Sequence, residues 1–184
     1  RFLVSQPCKY TSQGRAKSLA EEIDLVVFNP HQVQPVISPE MIWTGAEVRG
    51  VRGAVVAVRG WHSERFSMAT FAHMPELLRF ADDEVVKRAA VKLGTTDVAK
   101  ILCLTQLPAS GDLKAKTLEF LKSRGVDGLL SFRQMLVELL AGIERNHNYD
   151  KSDILQTLRI IKSAGLIRDN QMELFPNPRP RRKG

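Results

Sequence analysis

Two residues of this chain are of types that do chemistry on a phosphate. Asp24 stands in the run Glu22-Ile23-Asp24-Leu25-Val26-Val27-Phe28, and Arg59 ends the run Gly53-Ala54-Val55-Val56-Ala57-Val58-Arg59, ahead of Gly60-Trp61-His62. Short continuous apolar runs closed by Gly or by Asn-Pro read as buried strands. An acid and a cation would therefore meet on neighbouring strands. A carboxylate can hold Mg²⁺, and a guanidinium can hold a phosphate through two donors. Hydrolysis of a phosphodiester with a metal asks for more, a second acid above all. Strand alternation puts Ala57, Arg59 and Trp61 on one face, and no second acid stands beside Arg59 on that face.

Composition sets the frame for this pair. The 184 residues suffice for one sizeable core and a small appended module. With 27 Lys and Arg against 20 Asp and Glu, the formal net charge is +7, and such a surface attracts phosphate backbones through counterion release. Arg179, Arg181, Arg182 and Lys183 supply four of these charges in one terminal run, so the rest of the surface is only modestly basic. No apolar run is long enough to span a bilayer and no signal peptide is visible. Cys8 and Cys103 form neither a metal spacing nor a disulfide framework, and the four histidines are scattered. A cytoplasmic location without membrane partners is the expectation. The first residue is Arg1, not Met, so the sequence is expected to lack its true N-terminus, which leaves room for a helix before the first strand.

The elements that must position Asp24 and Arg59 follow in order. Phe2 to Val4 starts a strand that continues towards Tyr10, then a basic loop or short helix leads to the strand at 22–28. Ser38-Pro39-Glu40 has a cap and a first-turn proline, which predicts a short turn of helix, or a further segment, near Met41 to Trp43. Glu47 to Gly50 leads into the strand that carries Arg59. Helical spacing covers 68–80 with a break at Pro75, then 82–93 up to Gly94. Residues 101–104 read as a strand, 112–124 as a helix and 128–132 as a strand, a right-handed parallel crossover in length. Helices follow at 134–144 and from the Ser152 cap to Ala164. The class is α/β, a mixed central sheet flanked by helices with a helical C-terminal end and a flexible basic tail. The expected boundaries are 1–144 for the α/β domain, 145–168 for the helical segment and 169–184 for the tail.

The pair of strands resembles the active-site strands of the PD-(D/E)XK nuclease-like superfamily. The resemblance covers residues 1 to about 144: Asp24 matches the first acid, and the acid-X-Lys triplet falls on Ala57-Val58-Arg59 before Gly60-Trp61-His62. It implies a restriction-endonuclease-like fold in which two carboxylates and a backbone carbonyl, here that of Val58, bind Mg²⁺ and activate a water. The triplet is degenerate. Asp24 alone makes a weak metal site, and Arg59 stays protonated, so it cannot act as a base. Catalysis is expected to be absent or very weak. Three escapes stay open: engineered substitutions at 57 and 59, a carboxylate displaced to Glu22, Glu47 or Glu64, or an acid from a helix before Arg1. A plain structural ion pair between Asp24 and Arg59 is an equal alternative.

Two further features bear on partners. Gln171-Met172-Glu173-Leu174-Phe175 resembles the peptide by which bacterial replication and repair proteins dock into a sliding clamp, with Gln171 at the rim and Leu174 and Phe175 in an apolar pocket; packing of Leu174 and Phe175 back on the domain is the alternative. The helix pair at 133–164 could be a small DNA-reading unit, with Lys151, Arg159, Lys162 and Arg168 near one region, or a helical cap with those cations solvated. The residues assigned to nucleic acid are Arg59, Arg65, Lys151, Arg181, Arg182 and Lys183. The leading expectation is an inactive, DNA-binding protein of nuclease-like fold, part of a larger homo- or hetero-oligomeric assembly. A Mg²⁺-dependent DNA endonuclease and a clamp-recruiting interaction module are the alternatives.

Overall fold

The computed structural model describes residues 2–6, 23–60, 65–168 and 171–172. Contacts divide the chain into two compact units, Arg1–Met135 and Leu136–Gly184.

The first unit is built on a five-stranded sheet in the order β1-β2-β3-β4-β5. Its strands are β1 (Leu3–Ser5), β2 (Leu25–Phe28), β3 (Gly53–Arg59), β4 (Val98–Leu104) and β5 (Gly128–Ser131). The β1–β2 and β2–β3 pairs are antiparallel, whereas β3–β4 and β4–β5 are parallel. The sheet is therefore mixed and flanked by helices, as the run of strand and helix signals predicts, and this α/β architecture is generically compatible with nuclease-like scaffolds.

β3 sits at the centre because both of its faces are apolar. Val55 and Ala57 pack with Leu102, Leu104, Phe66 and Phe80 on one side, and Ala54 and Val56 pack with Trp43, Ala99 and Ile101 on the other. Its register with β4 runs unbroken from Gly53↔Val98 to Arg59↔Leu104. Two crossovers bury the first face. β3 returns to β4 through α2 (Met68–His73), a 3₁₀ helix (Pro75–Ala81) and α3 (Asp83–Leu93), and β4 returns to β5 through α4 (Gly111–Ser123). Gly94 and Gly125 end α3 and α4 with φ of 65° and 80°, the left-handed conformation that only glycine adopts without strain. Among the described residues the one fully buried polar side chain, Thr117, is satisfied: its Oγ1 donates to the Leu113 carbonyl at 2.6 Å and accepts the Met68 amide at 3.1 Å.

Several sequence expectations are corrected. No helix starts at Ser38-Pro39; the segment Met41–Trp43 instead pairs with β5. Trp43 N–H donates to Leu129 O at 2.8 Å and Leu129 N–H to Met41 O at 2.7 Å, so a stretch of chain covers the outer side of β5. The helix forms later as α1 (Gly45–Gly50), where the expected lead-in to β3 was, because Thr44 and Glu47 make a reciprocal capping box. In the second unit, α5 (Phe132–Gly142, which begins in the first unit) is followed by α6 (Asp153–Ser163), capped by Ser152 Oγ. Beyond α6, β6 (Ile167–Arg168), in the expected helical segment, pairs antiparallel with β7 (Gln171–Met172), in the expected flexible tail. The continuation of β1 towards Tyr10 and all of 173–184 lie outside the described residues.

Trp43 is fully buried, its Nε1 donates to Glu40 O at 2.7 Å, and its indole lies against the backbone of Gly128. A Cβ at Gly128 would stand 2.2 Å from the ring. Gly128→Ala should therefore cost about 3 kcal/mol of stability by overpacking. Gly142→Ala, where a Cβ meets nothing within 4 Å, should be neutral or slightly stabilising. Urea unfolding midpoints of the two variants check this.

Candidate functional site

The site lies where β2 begins and β3 ends. Asp24 and Arg59 meet there: Arg59 Nη1 donates to Asp24 Oδ2 at 2.9 Å, with 11% of the arginine and 19% of the aspartate side chain exposed. The same carboxylate oxygen accepts the backbone amide of Val58 at 2.8 Å. Arg59 Nη1 also donates to the Val58 carbonyl at 3.1 Å. The backbone explains the aim of the carboxylate. Asp24 N–H donates to Val56 O at 3.0 Å while Leu25 is the register partner of Val56. Two residues of one strand thus face one of the other, an irregularity that bends a strand and re-aims its side chains.

This geometry tests the metal site implied by the sequence. Mg²⁺ would need oxygens from Asp24, Val58 and a second acid. Arg59 Nη1 stands on the first two of these oxygens itself. The position of the second acid, Ala57, is fully buried among apolar side chains. A carboxylate there would be closed in the core rather than open to a ligand. Among the described residues no group of three His, Cys, Asp or Glu side chains is gathered to hold a metal. The residues present do not fit Mg²⁺, and the guanidinium supplies the positive charge in its place.

Of the three acids considered as displaced ligands, Glu47 is spent on helix capping. It accepts the Thr44 amide at 2.7 Å, and the Thr44 hydroxyl and amide hold its carboxyl below the usual carboxylate range. Glu22 and Glu64 lie outside the described residues, as do Trp61 and His62. Gly60 has a structural reason. A Cβ there would come 3.1 Å from the Phe132 ring.

Two of the other expected contact residues, Arg65 and Lys151, lie among the described residues, one in each unit. Arg65 is exposed and its backbone bridges to Gln106, next to the amide bond from Phe66 N–H to Gln106 O at 3.0 Å. Lys151 is exposed in the second unit, beside a cleft of about 310 Å³ with His147, Tyr149 and Leu155. Two other cations of the helix pair are committed within that unit. Lys162 Nζ donates to Leu140 O at 2.7 Å and Ile143 O at 2.8 Å, at the C-terminal end of α5, and Arg159 Nη1 to Arg145 O at 3.2 Å. Two isoleucines of α6 stand outward, Ile154 70% and Ile160 55% exposed, beside the polar Asp153, Thr157 and Ser163. Arg181, Arg182, Lys183, Leu174 and Phe175 lie outside the described residues, and Gln171 falls in β7.

Sequence reasoning missed two participants. The amide of Val58 is invisible in a pattern of side chains. Cys103, paired across from Val58 on β4, is buried close enough to Asp24 to feel its charge. Burial first, and the Asp24 carboxylate second, push its thiol from 9.0 up to about 11. No helix among the described residues is long and apolar enough to cross a membrane. Comparison with protein-family models, with curated proteins and with solved structures found no match to this chain.

Two outcomes follow. In a Cys8→Ala background, Cys103 should resist thiol reagents at pH 8 until the protein unfolds. Because its folded pKa lies above the unfolded one, the unfolded chain ionises first, and stability should fall as pH rises from 9 to 11. Cys103→Ala should remove that slope in urea titrations at stepped pH. For the second unit, Lys162→Met should lose about 1–2 kcal/mol, because carbonyls at a helix C-terminus lose a charged donor. A Lys162 that served phosphate instead would leave the unfolding midpoint unchanged and weaken the salt dependence of DNA binding.

Proposed function

We infer that this protein binds nucleic acid through a nuclease-like α/β scaffold of the PD-(D/E)XK kind and does not cut it, acting as one component of a larger DNA-processing assembly. The observation that carries this reading is the guanidinium of Arg59, held by Asp24 and Val58 at the ends of the two core strands where phosphodiester chemistry would place a metal. A guanidinium there keeps a positive charge for a phosphate. It supplies no base and no activated water. The net charge of +7 and the terminal Arg-rich run support association with a polyanion.

The alternative of a Mg²⁺-dependent endonuclease draws less support, because Arg59 Nη1 engages Asp24 Oδ2 and the Val58 carbonyl and Ala57 is closed in the core. A second reading, an interaction module, is favoured by the exposed Ile154 and Ile160 on α6. In that reading the segment Gln171–Phe175, which starts in β7, recruits a sliding clamp.

The test is binding of a labelled DNA duplex by fluorescence anisotropy across a salt series, in EDTA and in Mg²⁺. Affinity should fall steeply with salt, be insensitive to EDTA, and drop about threefold to tenfold in Arg59→Ala, the loss of about one phosphate contact. No strand should be cut in Mg²⁺. Cleavage that stops in Asp24→Ala would reinstate the endonuclease, and no binding at low salt would leave the interaction module.

A further inference from the structure

The nucleic-acid reading leaves one thing open at its own site: Arg59 is already occupied. Its Nη1 bonds a carboxylate oxygen at 2.9 Å, and only 11% of its side chain is exposed. A carboxylate and a phosphodiester offer an arginine the same thing, a singly charged group with acceptor oxygens. The two must compete for the guanidinium, and the carboxylate is tethered beside it. We propose that Asp24 is a built-in competitor for the phosphate-binding arginine, so that the resting chain holds Arg59 back and a nucleic-acid phosphate engages it by displacing the carboxylate. This rests on the function proposed above.

Asp24 has two jobs in this arrangement, and they are separable. One is to accept the Val58 amide at 2.8 Å, which fastens the end of β3. The other is to hold the charge of Arg59. Asparagine keeps a carbonyl oxygen at the same reach, so Asp24→Asn retains the first and gives up the ionic part of the second. A merely structural ion pair makes the opposite demand: breaking it would strand Arg59 and weaken any function of the fold.

The experiment measures duplex DNA affinity by anisotropy over a salt series for the full chain and for Asp24→Asn, Arg59→Ala, the double variant and Asp127→Asn. Asp127 also accepts a backbone amide, that of Lys100 at 2.8 Å, so its variant removes the same unit of charge in the same kind of contact. Asp24→Ser is the second arm in case asparagine disturbs the strand end, with thermal unfolding followed for every variant. The expected result is DNA binding about fivefold or more tighter in Asp24→Asn than in Asp127→Asn. The log–log salt slope should match that of Asp127→Asn, because the complex holds the same Arg59 phosphate contact in both. That gain should vanish in the double variant. Binding by the full chain with Asp24→Asn no tighter than Asp127→Asn overturns the competition alone, as does a gain that persists without Arg59. No DNA binding by any variant at low salt overturns both this inference and the nucleic-acid reading.

Discussion

One carboxylate oxygen, Asp24 Oδ2, takes a backbone amide and a guanidinium together, and the order of this end of the sheet depends on that. β3 is covered on both faces and so has little tolerance for an unanswered charge. Arg59 is its last residue, paired with Leu104 across the parallel ladder. A cation there, mostly out of water, needs an anion within reach, and the irregular start of β2 brings one. The same oxygen accepts the amide of Val58. Packing in the middle of the sheet and polarity at its end are thus two parts of a single solution.

The arrangement also changes what the strand ends can do chemically. A divalent ion concentrates charge, exchanges ligands and lowers the pKa of a bound water. A guanidinium spreads one charge over a plane, has fixed donors and stays protonated. The second suits holding an anion better than activating a water. Ala57 is in keeping with this, since an acid at that position would need water or a metal and finds Val55, Leu102 and Phe66 nearby instead.

Much of this was legible in the sequence because it rests on local periodicity. The apolar runs gave β2 through β5, and Gly94, Gly125 and Gly165, each with positive φ, marked the ends of α3, α4 and α6. The pairing of Asp24 with Arg59 was legible as a juxtaposition of strand ends. What stayed hidden depends on long-range pairing or on the main chain. The helix signal at Ser38-Pro39 lost to the pairing of Met41–Trp43 with β5, a contact across the sequence that no local pattern encodes. The role of the Val58 amide belongs to the backbone. By charge alone Lys162 fits either a DNA-reading unit or a helical cap with solvated cations, yet its ammonium sits on carbonyls at the end of α5, because a helix C-terminus attracts cations as a polyanion does.

The chain segment laid along β5 has a further consequence. A sheet with two bare borders can add copies of itself at both and grow without limit. Here the Leu129 border is stopped up by Met41 and Trp43, while β1 carries Leu3 and Val4 on an exposed border, 62% and 58% accessible. Within the five-stranded sheet, strand addition is thereby directed away from β5 and towards the β1 border.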